Sequence, residues 1–275
     1  MSLALTFDVE QDLGSNGTPD RWDTCQPFLD WLGDVAHGRG WRTTLFVQGS
    51  IVEPLATALR AFAPSHELGL HGYHHELWGR PLWFGRQPGT PLDRRRQLLA
   101  AGVEAFAQAD LPRPRSFRAP NLVADRATMA LLQEAGFVLD SSASAFRGCP
   151  PEVSVVGPLA RVPVSASPRP VIRRRFGVPT WARYRLLNLA TLLFLPAGDL
   201  LDLIHEIFAA QATSSIGPHL VVLAHPWEFA DVGSPGCGVA NYQRLLDRVD
   251  FLSAHFDLDV VPLRDLAQRA LIHAA

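Results

Sequence analysis

Short apolar runs alternate with longer stretches whose apolar residues recur at helical spacing. ALTF, from Ala4, reads as a buried strand that ends in acidic residues. Between Thr24 and His37, Phe28, Trp31, Leu32 and Val35 share one face of a predicted helix. TTLFV, from Thr43, is the next strand, and PLATALRAFA is a helix with Pro54 near its first turn. ELGL, from Glu67, is a third strand that runs straight into His71.

The alternation continues with a long helix from Asp93, DRRRQLLAAGVEAFAQA, and a short strand, SFRA, from Ser116. Asp125 is placed to cap a helix that runs through Glu134 and is closed by Gly136. FVLD follows as a strand. LVVLAH, from Leu220, is a strong buried strand; a helix covers about Tyr242 to His255, LDVV is a strand, and LRDLAQRALI is the last helix. Strands alternating with helices predict an α/β fold with a mainly parallel sheet. The number of repeats favours a (β/α) barrel, in which chemistry gathers at the C-terminal ends of the strands. Asp8, Glu10, His71, Arg118, Asp140 and His225 all fall at such ends. The stretch from about Gly148 to Thr213 breaks the rhythm, so an insertion covering part of a single-domain barrel is expected there.

Composition narrows the picture. The chain has 275 residues, 47% of them hydrophobic, enough for a sizeable core. A net charge of -2 gives no basic excess that would point to nucleic acid. The three cysteines, Cys25, Cys149 and Cys237, are far apart and odd in number, which favours a reducing compartment over a disulfide scaffold. The first residues do not have the pattern of a secretory signal, so a cytoplasmic location is expected. The apolar stretch from Leu186 is interrupted by Asn188, Pro196 and Asp199 and falls short of a membrane span. The basic run from Arg173 before it, with Trp181, Arg183, Tyr184 and Arg185, gives two readings: a buried helix with a solvated basic end, or peripheral contact with the inner membrane face. Oligomeric state is not legible.

The candidate chemistry centres on HELGLHGYHHEL, from His66, where four of ten histidines lie close together. His71 and His75 are four apart, so one helical turn would put both imidazoles on one face. His74 is a further candidate on that face. A catalytic metal needs about three protein ligands and an open position. A carboxylate from TFDVEQD, which offers Asp8, Glu10 and Asp12, would complete the set. Asp8 and Glu10 point the same way along an extended chain, so one can hold the ion while the other takes a proton from its water. His225 is a candidate acid for a leaving group, and Arg118 a partner for a site carboxylate. Trp78, Trp83, Phe84, Trp227 and Glu228 are read either as a sugar platform or lid or as packing.

The ordered set TFDVE at Thr6, HGYHH at His71, FRAP at Phe117, LDSS at Leu139 and LAHPWEF at Leu223 resembles the polysaccharide deacetylase family, with its NodB homology domain (carbohydrate esterase family 4). The resemblance implies a distorted (β/α) barrel, one divalent ion, most often zinc, and hydrolysis of acyl groups on sugars. It implies His71 and His75 as metal ligands, Asp8 as general base, His225 as general acid and Arg118 as the residue orienting the base. Pro120, Asn121, Asp140 and Trp227 are the expected substrate-binding positions. One departure stands out: the family's first motif has two adjacent aspartates, and the second, which binds metal, is Val9 here. Glu10 is the expected substitute, with Asp12 and Asp8 as alternatives. HELGLHGYHH, FRAP and DSSASAFRG are also similar to deformylases acting on lipid-linked 4-formamido-arabinose. The expected substrate is therefore an N-acetylated or N-formylated sugar, free or lipid-linked. Two alternatives stay open: another carbon–nitrogen hydrolase on the same barrel, and an inactive glycan-binding relative.

Overall fold

The computed structural model describes all residues except 19, 81–87, 176, 177 and 275, and gives no side-chain detail for 172–183. Trp83, Phe84 and the basic-aromatic positions from Arg173 to Arg183 therefore lie outside what is described at side-chain level. In chain order the elements are β1 (Ser2–Val9), α1 (Cys25–Arg39), β2 (Thr44–Val47), α2 (Ala56–Phe62), β3 (Glu67–Leu70), α3 (Leu92–Gln108), β4 (Ser116–Phe117), α4 (Arg126–Glu134) and β5 (Leu139–Asp140). Then come β6 (Ser154–Val156), β7 (Leu159–Arg161), β8 (Ala166–Arg175), β9 (Val178–Leu186), α5 (Leu189–Phe194), α6 (Ala197–Ala210), β10 (His219–Ala224), α7 (Ala240–Phe256), β11 (Asp259–Val260) and α8 (Leu263–Ala274).

The main sheet runs β10-β1-β2-β3-β4-β5-β7-β6, with β11 also on β1. Every pair from β10 to β7 is parallel, and β6 is antiparallel to β7. All eight residues of β1 are buried, as a parallel strand covered on both faces requires. Its outward side chains meet α1, whose Phe28, Leu29, Leu32 and Ala36 form the helix's buried stripe. Asp125 caps α4 by accepting from the Thr128 amide, and Gly136 beyond its end takes a positive φ of 78°.

The sheet curls until its ends meet. The Ser165 amide, just past β7, donates to the Val221 carbonyl of β10 at 3.1 Å, and the Val221 amide donates to Ser165 Oγ at 2.9 Å. Leu187 joins the same seam, donating its amide to the Ser165 carbonyl and accepting from the Leu223 amide. The result is a distorted (β/α) barrel. Residues 148–213 divide accordingly: β7 and Ser165 build the ring, whereas β8 and β9 form a separate antiparallel pair rising from the seam. The apolar stretch from Leu186 breaks at Pro196 into α5 and α6, which bury Leu189, Leu192, Leu200, Leu203 and Ile204. Among the described residues, no helix is long and apolar enough to cross a membrane.

Candidate active site

The C-terminal ends of β1, β3, β4 and β10 deliver their polar residues to one place. Glu10 is the first residue beyond β1, and its Oε2 lies 3.0 Å from His71 Nε2 and 2.7 Å from His75 Nε2. All three side chains are almost fully withdrawn from solvent. Burial by itself would raise the Glu10 carboxyl. The charge of His75, the hydrogen bonds from His71 and His75, and the charge of His225 outweigh it and hold the group well below the usual carboxylate range. The same pair works on His75: burial lowers it, but the Glu10 charge and hydrogen bond raise it overall.

The histidines do not reach Glu10 by a helical turn, as their spacing led us to expect. HGYHH is a tight loop in which Gly72 and His75 both take positive φ, 64° and 62°. Its backbone is pinned from two sides. The His71 amide donates to Val47 O, and the amides of Gly49 and Ser50 donate to Gly72 O and Tyr73 O. The Glu76 carboxylate accepts from the Tyr73 and His74 amides at 3.0 and 2.6 Å. Buried Trp78 packs under the loop, edge-on to Phe117 at 4.9 Å, so it belongs to the core. His74 is exposed and outside the cluster, and buried His66 lies at the opposite end of β3, bonded to Thr43.

On the floor of the site, Arg118 is fully buried and donates to Asp8 Oδ1 and Thr6 Oγ1, both at 2.8 Å. Its other nitrogens reach Ser141 O and Ser141 Oγ, and its guanidinium lies over the Phe46 ring, 4.3 Å from the centroid. Asp8 Oδ2 lies 3.8 Å from His71 Nε2. Asp12 is turned away: its Oδ1 accepts from Thr24 Oγ1 at 2.6 Å beside the start of α1. Gly14 is required here, because at φ 53° a Cβ would stand 2.8 Å from Glu10 Oε1.

His225, at the end of β10, approaches from the other side, its Nε2 3.8 Å from Glu10 Oε1. Glu228 Oε2 accepts from both the His225 amide, at 2.8 Å, and Nδ1, at 3.0 Å. Burial depresses His225, but the Glu228 hydrogen bond and charge, then Glu10 and Asp8, push it up to about 9. Trp227 stacks on the His225 ring at 4.8 Å, and its Nε1 donates to Glu10 Oε1 at 3.4 Å. Asn121 bonds Ser15 Oγ at 3.0 Å, and Ser15 Oγ lies 3.2 Å from His75 Nδ1. Asp140 does not take the substrate-facing place expected of it. It is 1% exposed and accepts from the Ser142 amide and Arg161 Nε, so it braces the loop after β5. Pro120 is likewise buried and opens the turn that presents Asn121.

Sequence reasoning passed over Ser15 and Glu76 and gave Glu228 no such role. The signal for Glu228 was present: a carboxylate three residues after a strand-terminal histidine, with proline between, can fold back on it. Chemically, one carboxylate oxygen and two imidazole nitrogens from Glu10, His71 and His75 lie within 4.8 Å of one another. That nitrogen–oxygen donor set could hold a metal ion.

Comparison with known proteins agrees with this architecture. The family model for polysaccharide deacetylases matches residues 2–139. The chain belongs to the polysaccharide deacetylase family. Among solved structures, a provisionally named polysaccharide deacetylase from Mycobacterium smegmatis is 21% identical with a TM-score of 0.64, covering 99% of this chain and 91% of its own. A family 4 carbohydrate esterase from Streptomyces lividans, solved with acetate, is 15% identical (TM-score 0.50, coverage 94% and 90%). A family 4 pseudoenzyme from Bacillus anthracis is 12% identical (TM-score 0.53, coverage 97% and 65%). These likenesses establish the fold. No curated protein matches the chain.

Proposed function

We propose that this deacetylase-family protein is a metal-dependent hydrolase that removes an N-acyl group, acetyl or formyl, from a sugar. The observation that carries the reading is the convergence of three paired units, Glu10 with His71 and His75, Asp8 with Arg118, and His225 with Glu228, at one barrel mouth. Glu10, His71 and His75 would hold the ion, and their nitrogen–oxygen donor set suits zinc. Such an ion supplies Lewis-acid polarisation of the acyl oxygen and an acidified water.

The chain's own groups supply the rest. Asp8, bound by Arg118 through Oδ1, places its second oxygen 3.8 Å from His71 Nε2 and is the general base. His225, raised to about 9 by Glu228 against its burial, carries a proton at neutral pH and is the general acid for the leaving nitrogen. Glu228 is a positioning residue that fixes the imidazole through Nδ1. Trp227 and Asn121 line the approach and are the sugar-facing candidates.

We read the chain as a single domain in which the β8–β9 hairpin, with α5 and α6, is inserted at the barrel seam. Three unpaired cysteines fit a reducing, cytoplasmic setting. A lipid-linked sugar at the inner membrane face is the narrower substrate reading. A second reading, an inactive glycan-binding relative, is favoured by one observation, Val9 in place of the family's ligand aspartate.

The test is metal content after dialysis against a weak chelator, together with acetate and formate release from a panel of N-acylated sugars. We expect about one divalent ion per chain and release of one of the two acids. An ion-free protein that binds sugar without releasing either acid would favour the inactive relative.

A further inference from the structure

The two candidate histidine ligands are held differently at their far nitrogens. Both turn Nε2 toward Glu10 Oε2, at 3.0 Å for His71 and 2.7 Å for His75. An imidazole that gives its Nε2 lone pair to an ion keeps its ring proton on Nδ1, and that N–H calls for an acceptor. His71 directly follows β3 and is 1% exposed, and its Nδ1 is buried with no partner among the described residues. His75 lies in the loop beyond, and its Nδ1 is 3.2 Å from Ser15 Oγ. Packing holds the first ring, whereas a specific polar contact holds the second.

Ser15 is exposed, yet its position is tightly set. It is the middle residue of a single 3-10 turn, Gly14–Asn16. Buried Gln11 ties that turn down: its Nε2 donates to Gly14 O at 2.9 Å, and its carbonyl accepts from the Gly14 amide at 3.0 Å. The turn packs against the ligand pair itself, since a Cβ on Gly14 would lie 3.6 Å from His75 Nε2. Asn121 Nδ2 also donates to Ser15 Oγ, at 3.0 Å. A hydroxyl oxygen has two acceptor sites, so it can take the His75 Nδ1–H and the Asn121 amide together. The three loops that meet here each carry a non-glycine residue at positive φ: Leu13 at 63°, His75 at 62°, and Asn121 and Leu122 at 59° and 53°. Leucine gains nothing from that region by itself, and such strain persists only where surrounding contacts fix it. Ser15, with His75 and Asn121, is the contact the three loops share.

We infer that Ser15, held by Asn121, is a positioning residue for His75: it accepts the Nδ1 proton, fixes the tautomer that leaves Nε2 free for a metal, and so sets the affinity of the site. The inference rests on the metal reading of Glu10, His71 and His75 above. The loop after β1 then supplies both a ligand, Glu10, and the brace of another ligand, His75.

The test is competition for Zn²⁺ against a chromophoric chelator. The full chain is compared as wild type, Ser15→Ala, Ser15→Thr and Asn121→Ala, with denaturant unfolding of each zinc-free protein measured alongside. Removing the acceptor behind a ligand histidine lowers metal affinity by about 10–100-fold. We expect a loss of that size in Ser15→Ala, wild-type affinity restored in Ser15→Thr, which keeps the hydroxyl, and a smaller loss in Asn121→Ala. Zinc-free unfolding midpoints should not move in Ser15→Ala, because the residue is exposed. In the zinc-loaded wild type the His75 Nδ1–H proton should be visible by NMR, slowed in exchange by its bond to Ser15, and lost in Ser15→Ala. Unchanged Zn²⁺ affinity in Ser15→Ala, an equal loss in Ser15→Thr, or a loss matched by a fall in zinc-free stability overturns the inference and leaves the metal reading standing. A wild type that binds no Zn²⁺ is a different result: it overturns the metal reading, and this inference with it.

Discussion

The two ends of the barrel carry the same kinds of side chain and use them differently. At the mouth, buried Glu10 is held well below its ordinary range by histidines. At the base, buried Glu67 is raised: burial outweighs the Arg264 amide, the hydroxyls of Thr44 and Ser116 and the Arg264 charge. Glu67 Oε2 accepts from Thr44 Oγ1 and from the Arg264 amide, both at 2.8 Å, and so ties β3 to β2 and to the start of α8. His75 is raised by its carboxylate, whereas His66, pressed by burial and by the charge of Arg264, falls to about 4. The base is a structural clasp in which a carboxylate meets hydroxyl and amide donors. The mouth sets charge against charge, with several groups converging on one point. What separates a site from a clasp is therefore the partner of each group, not its type.

The comparison can be broken at either end. The largest effect is expected for Glu10→Gln, which should abolish stoichiometric metal binding by elemental analysis. Its kcat/KM should fall by roughly 10²-fold or more, since the several kcal/mol of transition-state stabilisation that a bound ion supplies would go with it. Arg118→Ala strands the buried Asp8 carboxylate and should cost about 3–5 kcal/mol in denaturant unfolding, as breaking buried pairs does. Glu228→Gln acts on His225. Because the folded His225 is raised, its charged form persists up to about pH 9 and is lost above it. Removing the Glu228 charge should move the alkaline limb of the pH–rate profile down by about a unit or more. An unmoved limb would mean that His225 is not the acid.

The smallest effect is expected at the base. Glu67→Gln can keep both bonds made to Oε2, so stability should stay within about 1 kcal/mol and activity should not change. The sign of its pH dependence is definite. A carboxyl raised by folding binds more protons folded than unfolded between its two pKa values, so wild-type stability falls as pH rises through that window. Glu67→Gln should remove this slope in unfolding curves measured across it. Loss of activity in Glu67→Gln would erase the distinction between the two ends.

Much of this was legible in the sequence. Hydrophobic runs ending in polar residues placed Asp8, Glu10, His71, Arg118 and His225 at strand ends, because a parallel strand buried on both faces leaves a clear compositional signature. The loop at His71 was not legible. A four-residue spacing suits a helical turn as well as it suits a turn with positive φ at Gly72 and His75, and only the Glu76 staple and the Trp78 support select the latter. That Asp12 lies apart from Glu10 and Asp8 was not legible because it depends on Thr24, twelve residues beyond Asp12, which draws that carboxylate away. Asp140 misled for a similar reason: it ends a strand like the others, but Arg161 and the Ser142 amide claim it. The seam at Ser165 escaped notice because it lies outside regular strands.

That seam and the central place of β1 have a kinetic consequence. β1 is flanked by β2 on one side and by β10 on the other, and Thr6 Oγ1 donates to Val222 O across 216 residues of chain. Such distant pairing is slow to form, because most of the loop entropy must be lost before the contact forms. During refolding the ring should close late, after an intermediate in which one edge of β1 is bare. A fragment ending after β5 would keep that edge permanently unpaired, and an exposed, apolar parallel strand is a template for association with other chains.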